Sequence, residues 1–508
     1  MAPETGNGAQ QPAGTAELLL EQVHRLSREL HPGAVTLPEV TLDSLLDRDL
    51  GLDSLARVEL LNRIEDTFRV RLPEQVLAHA ETPRDLLRHL DRGEQQPEKP
   101  ASRPPPAVGR DREQGDLAPG HAATLVDVLA AHVAGRPKRL HLLLEDQESQ
   151  PLTYHDLDHG ARAMAAGLQQ HGLQPADTVA IMLPTGLDYF FTFFGILLAG
   201  GVPVPLYPPA RPSQIEEHLR RHRTILDNCG ARFLVTDPRV KGVAGLLRGA
   251  VATLERVDTV AAFRGRAGDF TAVPIRAGDT AFLQYTSGST GDPKGVILTH
   301  ANLLANIRAM GRACAVRSDD VFVSWLPLYH DMGLIGAWLG SLYHGCLLVI
   351  MPPLSFLARP ERWLAAITRH GGTLSASPNF GYEFCSRRIS DATLADLDLG
   401  SWRMAFNGAE PVSPVTIETF CRRFASCGFR REAMTPVYGL AESSVGLVFP
   451  PPGRGPVIDR VRRGPLVSDG RALPASDQDA TALRFVGCGF PLPGHQVRVV
   501  DESDRELP

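Results

Sequence analysis

Residues 285–295 read Tyr-Thr-Ser-Gly-Ser-Thr-Gly-Asp-Pro-Lys-Gly, a run of small hydroxyl residues and glycines that closes on a lysine and a glycine. Such residues let backbone amides and hydroxyls approach phosphate oxygens, and Lys294 adds a positive charge. The segment is not a Walker A loop, because no Gly-Lys-Ser/Thr follows the spacer. Phe282–Thr286 and Gly295–Thr299 are predicted strands, so the loop joins strand to strand. The pattern predicts a phosphate-binding loop; the alternative interpretation is a glycine-rich hairpin without a ligand.

Around this loop, short β-branched runs alternate with helical stretches. Thr178–Leu183 is predicted to be a buried strand, Leu187–Ala199 a helix and Val202–Val204 the next strand. Further candidate strands are Phe233–Thr236, Thr373–Ser377 and Met404–Phe406. Strands that alternate with helices predict parallel sheets covered on both faces, with ligands beyond the carboxyl ends of the strands. The sequence therefore predicts a large α/β body with parallel-rich sheets flanked by helices, over residues 121–508.

A small unit precedes this body. Residues 93–120 contain six prolines and four glycines, and almost no large apolar side chains, so they are predicted to form a flexible linker. Residues 15–92 are predicted to form a small all-α bundle with a net charge of −5. Its helices are Ala16–Leu30 with Leu18, Leu19, Val23 and Leu26 facing inward, a second starting at Ser54, and Pro83–Leu90 with Thr82 as the N-cap.

The composition restricts the possible partners and compartment. The chain of 508 residues has a formal net charge of −6, which excludes a generally basic nucleic-acid binder and a polybasic membrane tail. Seven scattered cysteines without a CxxC pair suit a reducing compartment rather than a disulfide framework or a zinc site. The N-terminus lacks the apolar core of a signal peptide, and the most apolar stretch, residues 189–198, is too short to span a bilayer. We therefore expect a cytoplasmic protein that neither binds nucleic acid nor inserts stably into a membrane.

Ser54 lies in Gly51-Leu-Asp-Ser-Leu55, between an acidic loop and a predicted helix. A hydroxyl at a helix N-terminus is well placed to carry a phosphate, because free N–H groups and the positive end of the helix dipole face it. The alternative is a plain N-cap. A DSL tripeptide inside an acidic three-helix unit, followed by a tether, resembles an acyl carrier protein. The resemblance implies that a phosphopantetheinyl transferase attaches 4′-phosphopantetheine to Ser54.

The loop at 285–295 resembles the phosphate-binding loop of the adenylate-forming superfamily, which includes acyl-CoA synthetases, luciferases and the adenylation domains of peptide synthetases. Asn407–Pro411 resembles the loop beside the adenine of that superfamily. Tyr438–Ser443 resembles the motif whose tyrosine stacks on adenine and whose glutamate reaches magnesium. The resemblance implies ATP and Mg²⁺, with Thr286 and Glu442 at the metal. The nucleotide-contacting residues that it implies are Thr286, Ser287, Gly288, Ser289, Thr290, Gly291, Asn407, Gly408, Ala409, Glu410, Pro411, Tyr438, Gly439 and Ser443.

The segment Leu326–Ile335, LPLYHDMGLI, indicates which subfamily of the adenylate-forming enzymes the sequence resembles. Together with Ser377–Glu383 and the stretch FPPPGRGPVIDRV after Tyr438–Ser443, it resembles fatty-acyl-AMP ligases, in which the histidine lies beside the acyl carboxylate. The resemblance implies that a fatty acid is activated by ATP to an acyl-adenylate and passed to a phosphopantetheine carrier of a polyketide or lipopeptide loading module. The resemblance also implies that Lys294, His330 and Glu442 are the catalytic residues. It implies that a downstream polyketide or peptide synthase receives the acyl group.

Two other functions remain open from the sequence. One is an amino-acid-adenylating domain of a nonribosomal peptide synthetase, because Asp331 stands near the place where such domains pair the substrate amine. The other is a non-catalytic fragment that presents a carrier and binds nucleotide weakly. The superfamily continues past the last residues here with a ribose-binding aspartate, an arginine and a small subdomain that carries a catalytic lysine. Because no lysine follows Glu442, we expect that this chain is a fragment or that another chain supplies the subdomain.

Overall fold

The structure is a computed structural model that describes residues 13–30, 40–46, 49–50, 52, 60–61, 63–65, 67–68, 70, 72, 76, 80–91, 118–145, 150–208, 215–286 and 293–507. Its contacts divide the chain into two compact units. The smaller unit comprises Met1–Pro105 and Pro209–Glu216, and the larger unit comprises Pro106–Pro208 and Glu217–Pro508. The linker predicted at 93–120 lies almost wholly outside the described residues, so its boundaries stay predictions.

The smaller unit contains the helices α1 (Ala13–Leu30) and α2 (Pro83–Asp91), and residues 60–61, 63–65 and 67–68 are also helical. Their apolar faces enclose one core, which includes Leu19, Val23, Leu26, Ile64 and Leu86. The prediction for Leu18 is wrong, since this side chain is 45% exposed. Positions 19, 23 and 26 follow the helical repeat, whereas position 18 lies about 100° away from 19 around the axis. Ser54, with the predicted start of its helix, lies outside the described residues.

The N-cap predicted at Thr82 is confirmed. Thr82 Oγ1 accepts a hydrogen bond from the backbone N–H of Asp85 at 3.3 Å, and the Asp85 carboxylate accepts one from the N–H of Thr82 at 3.0 Å. This reciprocal pair is a capping box, which satisfies two otherwise free donors at the start of α2.

The larger unit alternates strands with helices, as predicted. From residue 125 onward the helices are α3 (Leu125–Gly135), α4 (Tyr154–Gln170), α5 (Leu187–Leu198), α6 (Ile215–Cys229), α7 (Lys241–Ala250), α8 (Val260–Phe263), α9 (His300–Ala313), α10 (Gly340–His344), α11 (Pro353–Ala358), α12 (Glu361–His370), α13 (Asn379–Arg388), α14 (Asp391–Leu394), α15 (Pro414–Arg423) and α16 (Arg463–Asp469). A π-helix, Met332–Leu339, runs directly into α10, and 3₁₀ turns occupy Ala267–Asp269, Ala425–Cys427, Arg431–Ala433 and Ala441–Ser443. Among the described residues, none of the helices is long and apolar enough to cross a membrane.

The strands are β1 (Leu140–Leu144), β2 (Gln150–Thr153), β3 (Thr178–Met182), β4 (Val202–Pro205), β5 (Phe233–Thr236), β6 (Arg256–Thr259), β7 (Thr280–Thr286), β8 (Lys294–Thr299), β9 (Val321–Ser324), β10 (Leu347–Ile350), β11 (Leu374–Pro378), β12 (Met404–Gly408), β13 (Met434–Pro436), β14 (Val448–Phe449), β15 (Val457–Val461), β16 (Leu483–Gly487) and β17 (Phe490–Pro491).

Two parallel-rich sheets organise this unit. One has the strand order β13-β12-β11-β9-β10-β1-β2, with every neighbouring pair parallel except β1 and β2. The other has the order β4-β3-β5-β6 and is parallel throughout. Strands β7 and β8 form a separate antiparallel pair. The predicted α/β class is therefore confirmed, and parallel pairing places the carboxyl ends of β9, β11, β12 and β13 along one edge.

A buried ion pair supports the opposite edge of the larger sheet. Arg403 precedes β12 and Asp320 precedes β9; Arg403 Nη2 lies 2.6 Å from Asp320 Oδ2, and the Asp320 side chain is only 1% exposed. Arg403 also donates to the carbonyl oxygens of Cys314 and Ala315, at the end of α9. Burial raises the pKa of Asp320, but the hydrogen bond and charge of Arg403 outweigh it, so the pKa lies below its ordinary value. The pair therefore stabilises the native fold at neutral pH, and this contribution falls as the pH drops through the native pKa of Asp320.

Replacing Arg403 with Met leaves Asp320 buried without its counter-charge, so we expect the free energy of unfolding of the larger unit to fall by about 3–5 kcal/mol. All four tryptophans lie in this unit, so urea denaturation followed by tryptophan fluorescence reports on it. Arg387→Met is the matched control: its ion pair with Glu383 is exposed and is worth about 0–1 kcal/mol. Equal losses in the two variants would contradict the prediction.

Candidate active site

The predicted site segments meet at the carboxyl edge of the seven-stranded sheet. Asn407 and Gly408 end β12, and Ala409–Pro411 follow directly. In the sheet register Asn407 lies between Ser377 of β11 and Pro436 of β13. Tyr438 comes two residues after β13. The fold thus brings the two adenine-type segments together, although 26 residues lie between Pro411 and Tyr438 in the chain.

His330 and Asp331 follow β9 at the same edge. His330 Nδ1 lies 2.8 Å from Asp331 Oδ1, and the same oxygen accepts a hydrogen bond from the N–H of Met332 at 2.7 Å. The His330 side chain is 53% exposed, whereas that of Asp331 is 12% exposed. Burial lowers the pKa of His330, but the hydrogen bond and charge of Asp331 outweigh it and raise the pKa above its ordinary value. The imidazole therefore keeps a positive charge to higher pH than a free histidine does, which suits a carboxylate ligand.

The phosphate-type loop joins two antiparallel strands, as predicted. Thr286 ends β7 and Lys294 begins β8, and these two residues face each other in the register. Ser287, Gly288, Ser289, Thr290 and Gly291 lie outside the described residues. Gln284 of β7 donates from Nε2 to the Tyr329 carbonyl at 2.8 Å, which holds this strand beside His330. Sequence analysis missed Gln284, because a lone glutamine carries no chemical motif.

The segment Tyr438–Ser443 combines an exposed ring with a tightly constrained backbone. Tyr438 is 52% exposed, and Glu442 is exposed on the 3₁₀ turn Ala441–Ser443. A Cβ on Gly439 would lie 1.6 Å from the Val445 carbonyl oxygen, so only glycine fits there. The ring is therefore free to stack on a flat ligand while the chain beneath it folds back on itself.

Three non-glycine residues of this region have positive φ angles. Ala409 has φ 67°, Ser444 has φ 69° and Val445 has φ 154°. Such residues cost about 1–3 kcal/mol each and concentrate at functional sites, where the surrounding fold enforces them. Asn306 of α9 contributes to that enforcement. Its side-chain amide donates a hydrogen bond to the Gly446 carbonyl at 2.7 Å and accepts one from the Gly446 N–H at 3.1 Å. No sequence pattern predicted this contact.

A cavity of about 260 Å³ opens between these loops and continues along the face of the sheet. At its mouth lie His330, Asp331, Ala409 and Tyr438. One wall is the π-helix and α10, which contribute Met332, Gly336, Gly340 and His344 at intervals of four residues. Another wall is α9, which packs against the first and contributes Ile307, Met310, Gly311 and Cys314. Most of the lining is apolar, so the cavity suits a hydrocarbon chain whose head reaches the loops.

The sheet forms the base of this cavity. Phe322 of β9 pairs with Leu374 of β11, and Phe406 of β12 pairs with Ala376 of β11. Paired residues, and residues two apart on a strand, share a face, so all four side chains point into the cavity that they line. The cavity therefore runs from the carboxyl edge, where the loops lie, to the amino edge, where Cys346 precedes β10.

A second cavity, of about 230 Å³, also reaches His330 and Asp331. It is lined by Thr286 and Ala441, so it brings the end of β7 close to the turn that carries Glu442. A hydroxyl and a carboxylate are the hard oxygen donors that Mg²⁺ takes together with substrate phosphates. In the part of the chain that the structure describes, no three His, Cys, Asp or Glu side chains form a metal cluster. The oxygen atoms of Thr286 and Glu442 are of the type that fits a magnesium ion held partly by a nucleotide.

Comparison with known families agrees with this geometry. The model of the family described as "AMP-binding enzyme" matches residues 129–508. The chain belongs to that family. A second model, "Phosphopantetheine attachment site", matches residues 34–90, a range that includes Ser54.

Similar AMP-binding enzymes act on fatty acids. The medium-chain-fatty-acid–[acyl-carrier-protein] ligase JamA of Moorena producens is 34% identical over 392 residues, covering 75% of this chain and 65% of that protein. The long-chain-fatty-acid–AMP ligase FadD32 of Mycolicibacterium smegmatis is 36% identical, covering 72% and 58%. A crystal structure of a fatty acyl-adenylate ligase from L. pneumophila with acyl adenylate and pyrophosphate has a TM-score of 0.69 at 34% identity, covering 75% and 66%. The chain thus spans about two thirds or less of the length of these relatives.

We expect Lys294→Ala to weaken ATP binding by roughly ten- to a hundredfold, because a charge-assisted phosphate contact is worth about 1.5–3 kcal/mol. Lys294 is exposed where β8 begins, next to the phosphate-type loop. Titration calorimetry with ATP and Mg²⁺ measures the change. Lys138→Ala, an exposed lysine before β1, is the control and should bind like the native chain. Unchanged affinity in Lys294→Ala would favour the ligand-free hairpin.

Proposed function

We propose that this AMP-binding enzyme activates a fatty acid as its acyl-adenylate and loads the acyl group onto a phosphopantetheine carrier. The observation that carries the proposal is the long apolar cavity whose mouth lies among His330, Asp331 and Tyr438. An alkyl chain inside it would leave its carboxylate beside the raised-pKa imidazole and near the nucleotide segments. The presence of an AMP-binding match and a phosphopantetheine match in one chain supports the transfer step.

In the first step, a carboxylate oxygen attacks the α-phosphorus of ATP, and the bond from that phosphorus to the bridging oxygen breaks to release pyrophosphate. We assign Lys294 and the loop 286–291 to the phosphates, Tyr438 and Asn407–Pro411 to the adenine, and Glu442 with Thr286 to magnesium. His330 orients the carboxylate, so positioning and charge stabilisation carry the catalysis. In the second step, the pantetheine thiol attacks the acyl carbonyl, AMP leaves, and the thiol proton passes to solvent.

The proposal assigns residues 15–92 to the carrier, 93–120 to the linker and 121–508 to the adenylating domain. It also includes a phosphopantetheinyl transferase as the modifying partner and a polyketide or peptide synthase as the recipient. Seven free cysteines suit a reducing compartment, so we propose that the reaction takes place in the cytoplasm.

Substrate-dependent ATP–pyrophosphate exchange, with parallel binding of non-hydrolysable acyl-adenylate analogues, tests the proposed function. Decanoyl-sulfamoyl adenosine should bind to this chain, and a fatty acid such as decanoate should support exchange once the lysine-bearing subdomain expected from the sequence is supplied. If only amino acids and aminoacyl analogues respond, the chain is an amino-acid-adenylating domain. That alternative has weaker support, because the Asp331 carboxylate already accepts a hydrogen bond from Met332 and pairs with His330.

A further inference from the structure

The far end of the apolar cavity is polar. Cys314, Ser341 and Cys346 lie there, each almost fully buried, and His344, three residues after Ser341 on the same helix, also lines the cavity. Ser341 is adjacent to Cys346, because its carbonyl accepts a hydrogen bond from the Cys346 N–H at 3.0 Å. Burial raises the pKa of Cys314 to about 12 and also raises that of Cys346, so both thiols stay neutral.

Ser341 has a hydroxyl that the protein does not use. The residue is 3% exposed and lines the cavity, and its Oγ has no hydrogen-bond partner among the described residues. A buried hydroxyl without a partner costs about 1–3 kcal/mol, so a native fold that keeps one calls for an explanation. Alanine would fill the same space without that cost. The hydroxyl therefore points to a polar group on whatever occupies this end of the cavity.

The length of the cavity sets the distance between this hydroxyl and the reacting carboxylate. Ser341 follows Asp331 by ten residues of continuous helix, which is at most about 15 Å. The five residues of β12, which the cavity crosses, span a similar distance of roughly 16 Å. An extended carbon chain advances roughly 1.2 Å per bond, so about ten to twelve carbons join the two ends.

The charge around this end disfavours an acidic terminus. The buried Asp320 carboxylate acts electrostatically on both Cys314 and Cys346, and Arg403 already neutralises it. A second carboxylate brought there would leave water close to the Asp320 carboxylate, and the imidazole of His344 would have to bind a proton to balance its charge, at a high cost. A neutral hydroxyl both donates and accepts a hydrogen bond, as Ser341 does, so the two match.

From these contacts we propose that the preferred substrate is a hydroxylated fatty acid of about ten to twelve carbons, whose hydroxyl at or near the distal end binds Ser341. The inference rests on the proposed adenylation of fatty acids and specifies the class of acid. Gly336 and Gly340 have no side chains and leave room for the alkyl chain of the substrate. The Ser341 hydroxyl forms a hydrogen bond with the hydroxyl at the distal end of that chain.

Calorimetric binding of sulfamoyl-adenosine analogues to the full chain tests this inference. The ligands carry decanoyl, dodecanoyl, their terminally hydroxylated forms and the corresponding dicarboxylic half-amides. We expect one hydroxylated ligand to bind roughly tenfold more tightly than its unsubstituted parent, and the dicarboxylic ligands to bind more weakly. Ser341→Ala should abolish this preference while leaving the affinity for the unsubstituted chain unchanged or higher.

Ser386→Ala is the matched control. It removes another buried helical serine, whose Oγ donates to the Tyr382 carbonyl and which does not line the cavity, so the hydroxyl preference should survive. If the native chain binds unsubstituted and hydroxylated ligands equally, a water molecule satisfies Ser341 and the inference is wrong, although fatty-acid adenylation stands. If no acyl ligand binds at all, the proposed function itself fails. Circular dichroism confirms that each variant is folded.

Discussion

Gly336→Trp should abolish binding of ten- to twelve-carbon acyl-adenylate analogues, with at least about a hundredfold loss, while ATP binding persists. A Cβ built on Gly336 meets nothing within 4 Å, because this position of the π-helix faces the cavity. An indole there fills the space that the chain would occupy, and an excluded chain of this length forfeits several buried methylenes at about 0.8 kcal/mol each. The nucleotide segments lie at the mouth and are untouched.

The measurement is calorimetric titration with acetyl-, decanoyl- and dodecanoyl-sulfamoyl adenosine. The acetyl ligand serves as an internal reference, because its chain ends near the mouth. Gly245→Trp is the control variant, since it places a tryptophan on an exposed helical glycine with equally open surroundings. Retention of dodecanoyl binding by Gly336→Trp would show that the alkyl chain lies elsewhere.

Ser54→Ala should eliminate phosphopantetheinylation completely, because the modification needs the hydroxyl oxygen as its nucleophile. The phosphopantetheine match over residues 34–90 includes Ser54. Incubation with coenzyme A and a phosphopantetheinyl transferase, followed by intact-protein mass spectrometry, should show one added group in the native chain and none in the variant.

Ser27→Ala is the control for this experiment. Ser27 is a buried serine of the same unit, and its Oγ has no hydrogen-bond partner among the described residues, so alanine should be tolerated and modification should continue. An unchanged addition in Ser54→Ala would move the attachment to another hydroxyl and overturn the assignment.

The fold was predictable where the sequence pattern reflects burial on its own. Thr178–Leu183 and Phe233–Thr236 form strands within one residue of prediction, because apolar β-branched runs of this length suit a buried parallel sheet. Leu18 was misplaced because adjacent leucines at positions 18 and 19 cannot both face one core, and single-sequence periodicity does not say which does.

The site was predictable only in part, since motifs identify chemistry but not the space between them. Motifs singled out His330, Lys294 and Tyr438, because phosphate, adenine and carboxylate ligands favour recognisable residue types. The structure places His330 and Tyr438 on one cavity and Lys294 opposite Thr286, while their roles stay predictions. Asn306 and Gln284 act through backbone carbonyls and N–H groups, so nothing in their identity signals the contact. Sequence analysis missed Gly336 and Gly340. Two glycines four residues apart lie on the same side of a helix only if the segment is helical, and nothing in the sequence showed that this side lines a cavity.

Because the cavity runs across the sheet, the residues proposed to bind the alkyl chain are separated from those proposed to bind ATP. The proposed reacting groups occupy one edge, while positions 336 and 340, about one helical turn apart, and position 341, next to 340, lie towards the other edge. Position 336 lies nearer the mouth of the cavity, whereas positions 340 and 341 lie together nearer its far end. A larger side chain at 336 would therefore limit the acyl chain to a shorter length than one at 340 or 341. Under the proposed function, a change at any of these three positions would alter the accepted acid and leave the proposed ATP-binding segments unchanged. Single substitutions along this wall would then be enough to change which acid is activated.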